Sequence, residues 1–104
     1  MHAIFVLIDS TAKPADIQGP LQEFANALKV RDGLIMKSWI TRDGEIGGFY
    51  LFTDQTSAER YVAEMLAPAV EAQEPFSNLR VEHFEVLEEL SAVTGSPVAT
   101  PLAG

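Results

Sequence analysis

The pair Asp43-Gly44, set between the apolar runs Leu34–Thr41 and Ile46–Thr53, constrains this chain more than any other stretch. Asp-Gly between two such runs signals a tight β-hairpin, because glycine accepts the positive φ that the turn needs. With Asp43 and Gly44 as the loop, counting outward sets Lys37 opposite Tyr50, Ile35 opposite Phe52 and Trp39 opposite Gly48. Side chains alternate across a strand, so the register sorts the hairpin into two faces. One carries Leu34, Met36, Ile40, Phe49 and Leu51, with Ser38 as its polar member. The other carries Ile35, Lys37, Trp39, Thr41, Tyr50 and Phe52. Half-exposed antiparallel sheets pair an apolar face with a polar one. Here both faces are apolar, and each needs a cover.

The flanking segments supply candidates. Ala3 to Ile8 is an unbroken apolar run whose length and β-branched content suit a central strand buried on both sides. Ile17, Leu21, Phe24 and Leu28 form a helical stripe. Pro20 is favoured in a first helical turn, so the firm helix is expected from Pro20 to about Val30, with residues 15–19 as a looser lead-in. Gly33 suits the position just past its end. After the hairpin, Asp54 or Thr56 can cap a second helix, and Thr56 with Glu59 has capping-box spacing. Its stripe is Ala58, Tyr61, Val62, Met65 and Leu66, and Pro68 is expected to end it. Leu79 to Leu87, with Arg80, Glu82 and Glu85, reads as a charged edge strand. Glu88 to Val93 fits a last helical turn. The expected organisation is one domain over residues 1–94 and a C-terminal arm over residues 95–104, held by a partner subunit.

The order β-α-β-β-α-β is the α+β, ferredoxin-like plan: a four-stranded antiparallel sheet with two helices on one face. Two helical stripes suffice for one side, here expected to be the Leu34/Met36/Phe49/Leu51 side. That leaves Ile35, Trp39, Tyr50 and Phe52 uncovered, and an exposed aromatic patch of that size marks an interaction site. Pairing with a second copy into a two-fold dimeric barrel is the expected solution.

Composition narrows the chemistry. The chain has 104 residues, no cysteine and a net charge of −8. Thiolate metal sites, disulfides and cysteine nucleophiles are excluded, in keeping with a cytoplasmic protein. The acidic balance disfavours nucleic acid and anionic membrane as partners. The apolar start is broken by Asp9 and lacks a basic leader, so neither a signal peptide nor a membrane span is expected there. His2 and His83, the two histidines, fall in no metal-ligand spacing, and no glycine-rich phosphate loop follows a strand. No motif asks for a cofactor.

The stretches Gly33-Leu34-Ile35-Met36-Lys37-Ser38-Trp39 and Gly47-Gly48-Phe49-Tyr50-Leu51-Phe52-Thr53-Asp54, then Ser57-Ala58, Tyr61 and Phe84 to Ser91, resemble the YdhR-like mono-oxygenase family. The resemblance implies a dimeric α/β barrel and kinship with small oxygenases that oxidise phenol- or quinol-type substrates without metal or flavin. Lys37, Trp39, Gly48, Tyr50 and Phe52 match its hairpin motif, although no catalytic role comes with the match.

Such chemistry asks for a base, a group that stabilises a substrate anion, and an apolar cavity. Lys37 and Tyr50 are candidates for cation and donor, and His83 for base by its intrinsic pKa. Ile35, Trp39, Gly48 and Phe52 are candidates for the pocket wall. Each has a plainer reading: Trp39 covering a strand glycine, Tyr50 and Phe52 lining an interface, Lys37 reaching solvent, His83 on the surface. A binding module without catalysis, and an isomerase or dehydratase on the same barrel, are the competing functions.

Overall fold

Strands β1 (His2–Ser10), β2 (Leu34–Arg42), β3 (Glu45–Phe52) and β4 (Phe76–Glu85) form one antiparallel sheet in the order β2-β3-β1-β4. This order belongs to the ferredoxin-like plan, with β1 central and the charged β4 at an edge, as the sequence indicates. The computed structural model describes residues 1–72 and 74–97. Of the expected arm, residues 98–104 lie outside the described ones.

Helix α1 (Gln18–Leu28) follows a 3-10 turn at Pro14–Ile17. It begins two residues before Pro20, whose missing N–H is harmless within the first turn. Gly33 has φ 84° and closes the turn into β2. Helix α2 (Gln55–Tyr61) is capped by Asp54, which accepts a 2.7 Å hydrogen bond from the Ser57 N–H. Pro68 does not end this helix. A π turn at Val62–Leu66 widens the ladder, and α3 (Ala67–Ala72) continues beyond it. Helix α4 (Glu88–Val93) comes last.

The hairpin register matches expectation at Lys37–Tyr50 and Trp39–Gly48. It slips by one at the far end, where Leu34 rather than Ile35 faces Phe52. Ile35 is the extra residue of a bulge between Leu34 and Met36.

The helices cover the other face from the one expected. Tyr50 and Phe52 are fully buried with Ile4 and Val6, against Leu28 of α1, Ala58 and Tyr61 of α2, and Leu66. Tyr50 was expected on the open face, but its hydroxyl lies 2.8 Å from that of Tyr61, so both phenols are satisfied inside the core. Their rings lie 5.1 Å apart, and Phe52 stacks 6.0 Å from Tyr50. Aromatic pairs of this kind contribute about 0.5–1.5 kcal/mol beyond the area they bury. The uncovered face is therefore that of Met36, Ile40 and Phe49 with Phe5 and Phe84. Phe49 remains 39% exposed and Phe84 48%.

Gly47 and Gly48 are placed by packing. A Cβ on Gly47 would lie 1.9 Å from the Val6 carbonyl oxygen, so only glycine lets β3 approach β1 this closely. At the turn end of the sheet, Arg80 of β4 bonds Asp9 of β1 at 3.0 Å and Glu45 of β3 at 2.7 Å, joining three strands.

The phenol pair yields a test. Tyr61→Phe strands the Tyr50 hydroxyl in the core and should destabilise the fold by about 1–3 kcal/mol in urea titrations. Adding Tyr50→Phe removes the orphan and should recover part of that loss. Strictly additive losses would show that the hydroxyls do not interact.

Candidate functional site

A cavity of about 280 Å³ lies between the sheet and the helices, just below the usual range of ligand pockets, about 300–1,000 Å³. Its floor is Lys37, Trp39 and Tyr50 of the hairpin. Leu21 and Phe24 of α1, with Leu66 at the end of the π turn and Val70 of α3, form apolar walls. Glu23 brings the one carboxylate among the lining residues, from an exposed position on α1.

Lys37 is the chemically distinctive member. Its Nζ sits 3.2 Å from the centre of the Trp39 ring, 4.5 Å from that of Tyr50 and 5.5 Å from that of Phe24. Among the described residues it has neither an ion pair nor a hydrogen bond. Taking the ammonium out of water without a counter-ion lowers the pKa to about 7. The ring faces favour the ammonium by about 0.5–2 kcal/mol and offset only part of that cost. At neutral pH much of Lys37 is thus a free amine, which an exposed lysine is not.

Two local features hold it there. The β2–β3 register sets Lys37 beside Tyr50 and Trp39 beside Gly48, all on the face the helices meet, where Trp39 lies at the margin and stays 40% exposed. Gly48 then leaves room for the folded-back side chain, since a Cβ there would meet Lys37 Cε at 2.5 Å. Phe24 meets the Trp39 ring edge-on at 6.2 Å and closes the cage from α1.

Of the residues singled out from sequence, Lys37, Trp39 and Tyr50 line the cavity, while Gly48, expected in its wall, is not among the lining residues and instead makes room for Lys37. Tyr50 presents its ring to the site while its hydroxyl is engaged with Tyr61. Burial raises the pKa of both phenols, so neither ionises easily. Phe52 lies in the core rather than on the cavity wall, and Ile35 lies on the bulge; neither lines the cavity. His83 is outside it as well. Its Nδ1 is 2.8 Å from His2 Nε2, across the β1–β4 pair. Burial, and then His83, lower the His2 pKa. Among the described residues no group of three or more potential metal ligands occurs.

Sequence reasoning missed Phe24 and Tyr61 as site-forming residues. Both were visible as aromatic members of the helical stripes. What was not visible was which sheet face those stripes would meet.

No curated protein matches the chain by sequence. In structure it is similar to a "putative antibiotic biosynthesis monooxygenase" from Deinococcus radiodurans, with TM-score 0.66 and 15% identity, over 83% of this chain and 92% of that one. It is also similar to the cofactor-independent oxygenase SnoaB of Streptomyces nogalater, with TM-score 0.62 and 17% identity, over 82% and 92%. A third similar structure is NE2512, a protein of unknown function from Nitrosomonas europaea, with TM-score 0.61 and 23% identity, over 99% and 95%. At these identities the likenesses speak for the fold. Residues 8–97 match the family model described as "Putative mono-oxygenase ydhR", and the chain belongs to that family.

Proposed function

We propose that this protein is a cofactor-independent mono-oxygenase that oxidises a phenol- or quinol-type molecule in the cavity, with Lys37 as base. The observation that carries this reading is an amine without a counter-ion among three aromatic rings, on the wall of an apolar pocket. Membership of a mono-oxygenase family and a fold shared with a cofactor-independent oxygenase support it.

The chemistry follows from charge. With a net charge of −8, the chain's field opposes entry of a preformed phenolate but not of a neutral phenol. Inside, the neutral Lys37 amine takes the phenolic proton, and the ammonium so formed stabilises the anion beside it in a medium of low dielectric. Trp39 and Phe24 offer ring surfaces for the aromatic substrate. The electron-rich anion gives an electron to O2, and the resulting radical pair combines into a hydroperoxide. Loss of water leaves a carbonyl, so a CH2 group and O2 become C=O and H2O. The substrate supplies all the electrons, and the protein supplies a base, a cation and a dry enclosure.

The assembly belongs to the same proposal. Phe49, Phe84, Met36 and Ile40 form the open sheet face, and burying such side chains is worth about 1.5–3 kcal/mol each. Two copies meeting through this face form a dimeric barrel. The exposed Leu87, Leu90 and Val93 of the C-terminal segment add apolar surface for a partner subunit. A cytoplasmic location is proposed with it; no described helix is long and apolar enough to cross a membrane.

Oxygen uptake with a panel of anthrone-like phenols and quinols tests the reaction. Turnover should rise as pH passes about 7 and then level off, because the base acts in its neutral form. Lys37→Met and Lys37→Arg should each lower kcat/KM by about 100-fold or more. Substrate binding with no oxygen consumption at any pH would favour a binding module instead. For the assembly, Phe49→Glu should convert a dimer into a monomer in sedimentation. A wild-type chain already monomeric at micromolar concentration would contradict the paired face.

A further inference from the structure

We propose that Lys37 is also a covalent capture site for small apolar aldehydes, aromatic ones above all, which it binds as an imine. The inference shares Lys37 with the oxygenase reading but does not need its chemistry.

Imine formation requires an amine whose lone pair is free, a pocket that holds the carbonyl compound beside it, and surroundings that keep bulk water from hydrolysing the product. The first is met because Nζ lies over the rings of Trp39, Tyr50 and Phe24, and no carboxylate or carbonyl among the described residues bonds it as an ammonium. The second is met by the cavity, whose walls of Leu21, Leu66 and Val70 suit an apolar body. The third is met on the helix side by the same walls, while Trp39 stays 40% exposed. Gly48 contributes by leaving Cε the space to fold back under the cage. A lysine that only needed to reach solvent from an edge strand would require none of these features.

The step is balanced without any further reagent. The Nζ lone pair adds to the carbonyl carbon, and the carbonyl oxygen takes a proton to give a carbinolamine. The carbon–oxygen bond then breaks, water leaves with the second amine proton, and C=N forms. Nothing is oxidised or reduced, and water reverses the reaction.

The chain carries its own comparators, because Lys13 and Lys29, its other lysines, are exposed. The full-length protein is treated near neutral pH with limiting benzaldehyde and cyanoborohydride, which reduces any imine to a stable benzylamine. Peptide masses then locate the label, with the N-terminal amine scored separately. Lys37 should be labelled at least about ten-fold faster than Lys13 or Lys29, because it alone has a pocket beside it and a pKa lowered to about 7. Gly48→Ala, which crowds Cε, should cut that preference while leaving Lys13 and Lys29 unchanged. Equal labelling of the three lysines, or no label at Lys37, would overturn the proposal. Oxygen uptake that depends on Lys37 in a protein that cannot be labelled there refutes capture alone. Labelling without oxygen uptake refutes the oxygenase reading alone.

Discussion

Much of this structure turns on a positive group, the half-buried Lys37, that folding takes largely out of water without giving it a partner. Lysines so placed ordinarily find a carboxylate or snorkel to the surface. Lys37 does neither; it rests on three aromatic faces, and desolvation holds its pKa at about 7. In the unfolded chain the same group titrates at about 10.4, so between these values the unfolded state binds more protons. The penalty to stability is therefore full below about pH 7 and fades as pH rises toward the unfolded value. A perturbed group beside a cavity marks a candidate functional site, and this is the physical ground of the proposed role of Lys37.

The surrounding architecture can be understood as what makes that placement possible. Two adjacent glycines let β3 press against β1 and let Lys37 fold back over Tyr50. The Tyr50–Tyr61 hydroxyl pair lets a polar aromatic residue serve as floor without leaving an orphan donor in the core. The π turn at Val62–Leu66 carries the second helical segment past Pro68, so that Leu66 and Val70 both reach the cavity. Rings, glycines and turn thus converge on a single amine.

How much of this could be read from the residues alone depended on whether the signal was local. The Asp43-Gly44 turn set the register of the strands nearest to it, and with it the pairs Lys37–Tyr50 and Trp39–Gly48. The strand order followed from the alternation of apolar runs and stripes. The far end of the hairpin did not, because a bulge at Ile35 leaves no local mark to count from. The choice of buried face was misread for a related reason. Both hairpin faces are apolar, and the aromatic one was assigned to a second copy. That inference fails once a second phenol, Tyr61, meets Tyr50 across the core and the aromatic cage accepts the amine. His83 was the natural base by intrinsic pKa, but only the β1–β4 register shows it against His2, outside the cavity.

An open apolar surface outlives that misreading. It lies on the opposite face of the sheet, where Phe49 and Phe84 remain exposed, and it is the ground of the proposed dimer. The catalytic reading rests on a separate premise, the protonation state of one amine. The most direct test is an NMR titration of the full-length protein with 13Cε-labelled lysine, following Lys37 against Lys13 and Lys29. The account predicts a Lys37 midpoint near 7, far below the ordinary lysine value of about 10.4. A Lys37 midpoint at that ordinary value would contradict it.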